Sequence, residues 1–487
     1  MLQSQFGYNL RVNPVSSAQR IFRAGDITVP DLKSLFGPSG PVKHVVILMQ
    51  ENRAFDEYFG IFPGAEGLAS LTRSQAEAIW TGNGGSPNPC LPYRLSSFTT
   101  PVAREGIQDH NPAGQHASWA GGALNGWVNS GNGYNSYQCV AYFAENDIPF
   151  HWWLAQNFLL CDHHFSSVIG NTLPNRLYLM TGTAIDPRVD PTSSAWPQDA
   201  DTTAIFYSNA GAGAQQVADS YNPPSAGYSP DNPNNMQGAN WVTPTWNTYP
   251  DCLTEAGFAS WKIYDGSQDP DPNVDANGGG DMSIVTYFPK TWQTLFSGNP
   301  SVMPSGNLTN FVSATATVSA LDQLVLDIQS NSLPQVSWVI PPIVDAEWPA
   351  GGKNGAGAPW NGAVLISKIY NALLAHPDVW ASTVFILTYD ENDGHYDHVA
   401  PIVPGLPQST QPTANTSDYF YMSSMGNYQP IGAGFRVPTI IISPWTFKGG
   451  ICSLPFDHTS TLRLLEEFTG VSCTTPGSLN TDNRNIS

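Results

Sequence analysis

The sequence predicts an α/β sandwich in which helices cover both faces of a largely parallel central sheet. Short, nearly continuous apolar runs are typical of strands buried on both faces, and amphipathic helical patterns alternate with them. Such alternation along 487 residues favours an α/β architecture. The strand runs are residues 43–50, 258–265, 335–342, 382–390 and 436–444, and the helical patterns are 319–331, 363–376 and 459–468.

We expect a single domain over residues 1–487 that carries long loop or lid insertions. Residues 185–250 and 265–281 are rich in Pro, Asn, Gly, Ser and Asp, which indicates surface loops. The stretch "DPDPNVDANGGGD" (269–281) resembles a calcium loop, but Val274 stands where such a loop needs glycine, and no glutamate occupies position twelve. We therefore interpret this stretch as a solvated loop.

The charge balance argues against partners that are held by bulk electrostatics. Nineteen Lys and Arg residues face 39 Asp and Glu residues, a net charge of −20. Nucleic acid and anionic lipid surfaces both need a basic patch, so neither is an expected partner. No apolar run reaches the 18 residues of a membrane span, so we expect no transmembrane segment.

The acidic, lysine-poor composition favours a secreted or periplasmic protein, with a cytoplasmic location as the alternative. The first residues, MLQSQFGYNLRVNP, lack the basic and apolar regions of a signal peptide. Six cysteines without a CxxC pair make a zinc knuckle an unfavourable interpretation. Cys452 and Cys473 flank a helical pattern and are the expected disulfide pair, whereas Cys161 is expected to pack as a buried apolar residue.

Polar residues follow two of the predicted strands. Glu51 and Asn52 end the first strand, although Asn52 also suits a plain helix cap. Asp390 and Glu391 end a later strand, and further acids and histidines follow them in "DENDGHYDH". Like charges this close repel one another unless a cation or a proton offsets them. On its own, this second segment fits a metal site and an acidic loop equally well.

A third segment, "GNTLPNRLYLMTG" (170–182), has the pattern of a helix start. Thr172 occupies a cap position, Pro174 suits the first turn, and Gly182 ends the run. A hydroxyl at a helix N-terminus lies near free N–H groups that favour phosphate, and Asn175 and Arg176 add further donors. As an isolated motif, however, it is more often a simple cap. The alternative role of Asn175 and Arg176 is to brace the turn that aims Thr172.

Taken together, the three segments predict a site for metal-assisted phosphoryl transfer. In open α/β sheets, ligands bind beyond the carboxyl ends of the strands. All five expected ligands are oxygen donors, which favours one divalent Ca²⁺, Mg²⁺ or Mn²⁺ ion over Zn²⁺. These ligands are Glu51, Asn52, Asp390, Glu391 and Thr172.

Long stretches of the chain resemble a family of bacterial phosphoesterases that includes acid phosphatases and haemolytic and non-haemolytic phospholipases C. The resemblance covers most of the chain, and its motifs occur in the family's order. They are "VVILMQENRAFDEYFG", "HASWAGGALNGW", "DIPFHWWLAQNFLLCDHHFSSVIGNTLPNRLYLMTGT", "LPQVSWVIPP", "FILTYDENDGHYDHVAP" and "GFRVPTIIISPW…FDHTSTLRLLEEFTGV".

The resemblance implies an alkaline-phosphatase-like core and assigns roles to several residues. It implies that Thr172 is the nucleophile and that the Glu51–Asn52 and Asp390–Glu391 pairs bind the metal. It also implies that a histidine contacts the phosphate, His110 as first choice and His116 as second. Finally, it implies that Asp457 and His458 lie near the same pocket.

One departure from the family pattern concerns substrate choice. Many members have a Ser-Glu-His-Pro-like segment where this chain has Ala346-Glu347-Trp348-Pro349. If that histidine touches substrate, Trp348 removes a donor and adds an apolar wall. The departure affects the expected substrate more than the expected reaction.

Three functions are compared on this basis. The leading hypothesis is a metal-dependent phosphoric-ester hydrolase of the acid phosphatase type, in which Thr172 forms a phospho-enzyme, with Asn175 and Arg176 as donors. The enzyme alternative is a phospholipase C acting on phosphatidylcholine-type diesters, with tryptophans caging the choline; these are Trp119, Trp127, Trp152, Trp153 and Trp348. Core packing is the favoured interpretation of those tryptophans.

The third hypothesis is a non-catalytic protein that binds phosphate or lipid headgroups. The sequence does not determine the oligomeric state.

Overall fold

The computed structural model describes the greater part of the chain. The described residues are 21–22, 36, 40–71, 91–95, 108–127, 137–184, 247–267, 284, 288, 310–313, 318–349, 358–403, 419–422 and 427–473. Nearly all of the insertions expected at 185–250 and 265–281 lies outside these ranges.

A nine-stranded sheet forms the centre of the described structure. Its strand order is β1-β13-β5-β12-β9-β2-β8-β6-β7, and all pairings are parallel except the two that β12 makes with β5 and β9. The prediction of a largely parallel sheet is therefore confirmed. The strands of this sheet are β1 (Ile21–Phe22), β2 (His44–Gln50), β5 (Leu159–Cys161), β6 (Trp261–Asp265), β7 (Phe311–Ser313), β8 (Val336–Ile340), β9 (Thr383–Tyr389), β12 (Thr439–Ile442) and β13 (Gly450–Cys452).

Two short ribbons complete the described strands. β3 (Tyr93–Arg94) pairs in parallel with β4 (Ala141–Tyr142), and β10 (Tyr419–Met422) pairs antiparallel with β11 (Asn427–Pro430). All five strands predicted from apolar runs are present, with their ends shortened by one to three residues. Only the last of them, β12, runs against its neighbours.

Helices cover both faces of the sheet, as the sequence predicts. Alternate residues of β2 show the division: Val45 and Ile47 join one apolar core, whereas Val46 and Leu48 join the other. The described helices are α1 (Phe55–Phe59), α2 (Pro112–Trp119), α3 (Pro149–Asn157), α4 (Thr172–Thr181), α5 (Tyr249–Glu255), α6 (Ala320–Gln329), α7 (Pro359–Ala375), α8 (Pro377–Trp380) and α9 (His458–Thr469).

The two layers contain different helices. Helices α4, α5 and α9 pack with the first core, and α1, α3, α6 and α7 pack with the second. Helix α7 begins four residues earlier than its pattern predicts because Pro359, with its fixed φ, suits the first helical turn. Within the described ranges, no helix has both the length and the apolar character needed to cross a membrane.

The disulfide prediction is wrong. Cys473 is bonded to Cys252 of α5, with Cα atoms 5.5 Å apart, and not to Cys452. Cys452 lies on β13 instead, directly opposite Cys161 of β5, and both thiols are free and buried. The chain carries Cys473 past the end of α9 to helix α5, away from the strand that holds Cys452. The expectation that Cys161 is a buried residue is confirmed.

The register of the central strands determines where the polar residues lie. β2 and β9 are adjacent and parallel, and Gln50 pairs with Tyr389 at their last residues. Glu51 and Asp390 therefore leave the sheet side by side, at the carboxyl edge where α/β proteins bind ligands.

Candidate active site

The two strand-end pairs meet as the sequence predicts. The backbone N–H of Asn52 donates to Oδ1 of Asp390 at 2.8 Å, and the Asn52 side chain donates to Oδ1 of Asp393 at 3.0 Å. Asn52 adopts a left-handed backbone with φ of 59°. Asparagine tolerates this conformation better than most residues, so the turn presents its side chain directly beside the acids.

Thr172 lies beside this turn, at the start of α4. Its hydroxyl donates to Oδ1 of Asn52 at 3.3 Å, and the side chain is buried. The expected cap position is off by one residue: Asn171 is the N-cap, without a side-chain capping bond, and Thr172 is the first helical residue. The predicted helix end at Gly182 is confirmed, with φ of 72°. The Thr172 hydroxyl is therefore directed to the site and not to capping.

Asn175 braces the loop that leads into α4. Its Oδ1 accepts the N–H of Val168 at 2.9 Å, and its Nδ2 donates to the carbonyls of Gly170 and Asn171. All of these bonds join the side chain to backbone groups of the loop that precedes it. The described bonds of Asn175 thus agree with the alternative expected for it, that of bracing the turn that orients Thr172.

Arg176 is likewise directed into the protein. Its guanidinium donates to Oδ2 of Asp390 at 3.1 Å and to Oε1 of Glu51 at 3.3 Å, and it also bonds the carbonyls of Met49 and Gln50. The guanidinium therefore fixes two expected metal ligands to the strand ends. The donors expected for phosphate are used in these bonds.

A second set of polar side chains surrounds Glu391. Oε2 of Glu391 accepts from Nε2 of Gln115 at 2.9 Å and from the N–H of Asp393 at 2.5 Å. Nδ1 of His110 lies 3.0 Å from Oδ1 of Asp393 and 2.9 Å from the carbonyl of Gln108. In the sequence, Asp393 is only one of the further acids of "DENDGHYDH", and neither Gln108 nor Gln115 of α2 stands out, because single glutamines carry no pattern of their own.

The electrostatics of this set favour an added cation. Burial raises the pKa of Glu391 well above its usual value, and the nearby Asp390 and Asp393 raise it further against the effect of His110. Burial alone would lower the pKa of His110, but Glu391 and Asp393 raise it well above its usual value. Oε1 of Glu391 is buried and has no hydrogen-bond partner among the described residues.

These observations fit a divalent cation held by oxygen ligands. We call the group the site cluster; it comprises Glu51, Asp390, Glu391, Asp393, Arg176 and His110. Four carboxyl groups face two basic side chains in it, so a cation would restore the charge balance. His110, Glu391 and Asp393 also place one ligand atom each within 4.8 Å of one another.

A second group with suitable spacing has a different character. Asp56, Asp397 and His398 also place ligand atoms within 4.8 Å of one another. The buried guanidinium of Arg436 already bonds both acids, Asp397 at 3.0 Å and Asp56 at 3.1 Å. We call these four residues the Arg436 cluster. Two acids and two basic groups leave no net charge for a metal to offset.

Other predicted site residues take supporting positions. His116 lies between two backbone carbonyls, those of Pro112 and Pro430, each 2.7 Å from a ring nitrogen. Asp457 is the N-cap of α9 and accepts from the Ser167 hydroxyl at 2.8 Å. The described contacts of His116 and Asp457 are thus structural, in place of the substrate contacts expected for them.

His458 contacts the site cluster through the backbone. Its Nε2 lies 2.7 Å from the carbonyl of Asp390, so this nitrogen carries the proton and donates it. Burial lowers the pKa of His458, which keeps the imidazole neutral. The ring therefore supports the turn that holds Asp390 and Glu391.

The tryptophans of the proposed choline cage lie mostly in packed cores. Trp127 and Trp152 are buried, and Trp153 packs against the second core. Trp119 packs against the small cluster around Trp127. The packing interpretation is confirmed for these four residues. Trp348 follows the carboxyl end of β8 and is partly buried.

Comparison with known proteins identifies the family. The model of the Phosphoesterase family matches residues 42–472. Non-hemolytic phospholipase C of Burkholderia pseudomallei is 34% identical over 452 residues, which cover 87% of this chain and 55% of that protein. Phospholipase C B of Mycobacterium tuberculosis is 32% identical over 444 residues, covering 88% of this chain and 74% of that one.

The chain spans about half the length of the first of these relatives. Among solved structures, a protein in the alkaline phosphatase superfamily from Vibrio parahaemolyticus is similar with a TM-score of 0.32 and 12% identity, covering 85% of this chain and 78% of that one. The expected resemblance to the bacterial phosphoesterases is confirmed. Because the family model matches residues 42–472, from just before β2 to just past α9, this chain belongs to the Phosphoesterase family.

Proposed function

We propose that this chain hydrolyses phospholipid phosphodiesters in the manner of a phospholipase C, with acid phosphatase activity as the second candidate. The observation that carries the proposal is the 32–34% identity to phospholipases C over almost nine-tenths of the chain. These relatives reverse the order of the two enzyme hypotheses that the sequence motifs alone suggested. Trp348 keeps the second candidate open, because it replaces a histidine of the family pattern.

One divalent cation, Ca²⁺, Mg²⁺ or Mn²⁺, is the proposed cofactor. Its ligands would come from the oxygen atoms of Glu51, Asn52, Asp390 and Glu391, with Asp393 adjacent. When bound, such a cation supplies positive charge that lowers the pKa of a neighbouring hydroxyl and attracts phosphoryl oxygens. Oxygen ligands favour these hard cations over zinc.

Thr172 is the proposed nucleophile. Its hydroxyl is buried at the first residue of α4, so the partial positive charge of the helix N-terminus favours both an alkoxide and an incoming phosphate. Attack of Oγ1 on phosphorus would release diacylglycerol and leave the phosphoryl headgroup on Thr172, while the hydroxyl proton passes to solvent. Water would then cleave this ester and restore the hydroxyl.

His110 is the proposed acid for the leaving alkoxide. Its Nδ1 lies against Asp393 and the Gln108 carbonyl, so Nε2 is the nitrogen that would face a leaving group. The same ring would accept a proton from the attacking water in the second step. The ring of His110 contacts an acid side chain of the site cluster, whereas His458 contacts Asp390 at its backbone carbonyl.

The nucleophile is tested with a matched pair of variants. We expect Thr172→Ala to lower phosphoester hydrolysis by roughly 1000-fold, because no attacking oxygen remains. Thr172→Ser keeps the hydroxyl and should retain activity within about tenfold of the wild type. Chelator-sensitive hydrolysis that persists in Thr172→Ala would contradict the assignment.

The substrate is tested with a panel of esters. We expect cation-loaded protein to hydrolyse phosphatidylcholine faster than an aryl phosphate monoester, measured as kcat/KM for each. The opposite ranking would favour the acid phosphatase candidate. Failure to hydrolyse any ester with any of the three cations would favour a non-catalytic binding protein. A secreted or periplasmic location stays a prediction that fractionation of the producing cells would check.

A further inference from the structure

A buried glutamate outside the site cluster has an unusual number of donors. Glu347 follows β8, and its side chain is fully buried. The carboxylate accepts from the hydroxyls of Tyr58 at 2.5 Å and Tyr389 at 2.9 Å. Nε2 of His151 lies 3.0 Å from it, and Nε2 of Gln50 donates at 3.3 Å. Donors from α1, α3, β2 and β9 thus converge on one carboxylate.

The backbone of Glu347 and the helix that packs against it both accommodate the buried carboxylate. Glu347 has a left-handed backbone with φ of 70°, which is costly for a residue with a Cβ atom. Helix α7 passes the carboxylate at Gly362, where an added Cβ would lie 2.0 Å from Oε1 of Glu347. Burial raises the pKa of Tyr58 and Tyr389 well above their usual values, so both phenols stay protonated and donate.

The segment that Glu347 anchors is bonded to the strand end that presents the site. The carbonyl of Ala346 accepts the N–H of Glu51 at 2.8 Å. The carbonyl of Glu347 accepts from Nε of Arg53 at 2.8 Å, and that of Asp345 accepts from Nε2 of Gln50 at 3.1 Å. Residues 50, 51 and 53 are therefore all held by three consecutive carbonyls, and Asn52 lies between the held residues.

We propose that Glu347 is a positioning residue for the cation site: its carboxylate fixes residues 345–347, and their carbonyls hold the turn that presents Glu51 and Asn52. The carbonyls do so through the N–H of Glu51 and through the side chains of Gln50 and Arg53. This inference rests on the proposed function, because it concerns the ligands assigned there. Glu347 acts through those residues and contacts neither substrate nor cation. Loss of a donor to Glu347 should loosen the ligand turn and weaken cation binding.

The chain offers a matched control for such a loss. Asp327 is a second buried carboxylate, and it accepts from the hydroxyl of Tyr264 at 2.6 Å and from Nζ of Lys262 at 2.6 Å. Tyr264 lies on β6 and is as deeply buried as Tyr58. Tyr58→Phe and Tyr264→Phe therefore remove the same atom from the same kind of bond, but only the first bond leads to the ligand turn.

The test measures the Mn²⁺ dissociation constant by calorimetry, together with the unfolding temperature of the metal-free protein. We expect Tyr58→Phe to weaken Mn²⁺ binding about tenfold, as is usual when an outer partner of a metal ligand is lost. Tyr264→Phe should stay within about twofold of the wild type, even though both variants lower the unfolding temperature. Glu347→Gln should weaken binding by about 10–100-fold if it folds.

The outcomes separate this inference from the proposed function. Equal Mn²⁺ affinity in the two tyrosine variants, whether both weakened or both unchanged, would overturn the positioning role while wild-type binding stands. A wild-type protein that takes up none of the three cations would overturn the cation site itself, and the positioning role with it. Weakened binding in Tyr58→Phe alone supports the inference.

Discussion

The site cluster and the Arg436 cluster contain similar residues, yet they differ in charge balance. Both combine buried acids with a histidine, and each takes acids from the eight residues that follow β9. In the Arg436 cluster, one guanidinium bonds both acids, bonds the carbonyls of Glu66 and Asp162, and stacks on Phe55 with 4.6 Å to the ring centre.

The site cluster lacks such a balance. Arg176 bonds Glu51 and Asp390 but reaches neither Glu391 nor Asp393 in the described contacts. Spacing alone therefore does not distinguish a metal site from a structural ion pair, since both clusters place possible ligand atoms within 4.8 Å of one another. The number of acids left without a cationic partner separates them.

Removing the guanidinium of the Arg436 cluster should give the largest effect. We expect Arg436→Met to lower the free energy of unfolding by about 3–5 kcal/mol, because it leaves buried carboxylates without a partner. Chemical denaturation at pH 7 measures this loss. Arg463→Met on α9 is the control: its side chain is 56% exposed, and its loss should be below about 1 kcal/mol. Equal losses in the two variants would show that Arg436 does not balance its cluster.

The second-largest effect should be the pH dependence of stability that Asp397 and His398 of the Arg436 cluster cause. Burial raises the pKa of Asp397 to about 6, with Asp56 adding to this effect and Arg436 opposing it. Burial alone would lower the pKa of His398, but its hydrogen bond to Asp56 raises it. Both groups bind protons more tightly in the folded state, so stability falls as the pH rises through about 6.

For Asp397 this amounts to about 2 kcal/mol between pH 4 and pH 7. Denaturation of metal-free wild type and of Asp397→Asn across that range isolates the contribution, because the acids of the site cluster are common to both. The wild type should show the steeper fall with rising pH. A variant profile parallel to the wild-type profile would contradict the assignment.

Cation binding should give the smallest effect and should be confined to the site cluster. At a cation concentration ten times its Kd, we expect the unfolding free energy to rise by about 1.4 kcal/mol. Thermal unfolding with and without the cation should show this rise in the wild type and in Asp397→Asn, but not in Glu391→Gln. The reverse pattern would place the cation at the Arg436 cluster.

The sequence predicted the fold and the ends of the strands well because both depend on local patterns. Apolar runs identify β2 and β9, and the rule that ligands bind at the carboxyl edge then brings Glu51 and Asp390 together. The antiparallel direction of β12 and the partner of Cys473 escaped prediction, because each depends on how distant segments pack.

The roles of individual site residues were harder to predict for a related reason. Arg176 matches a family motif, but whether its guanidinium faces a ligand or the strand ends depends on Glu51, which lies 125 positions earlier. In the sequence, Glu347 stands out only as part of the segment 346–349, which differs from the family pattern. Its four donors come from separate elements, and no spacing in the sequence relates them.

The disulfide between Cys252 and Cys473 has a topological consequence. It closes a covalent ring of the intervening chain, with a sequence separation of 221 residues, and this ring contains β9 with Asp390 and Glu391. Helix α4, which carries the proposed nucleophile, lies outside the ring. A protease that cuts the backbone once within the ring would leave both pieces covalently attached, and the acid half of the site would stay tethered to the half that carries Thr172 until the bond is reduced.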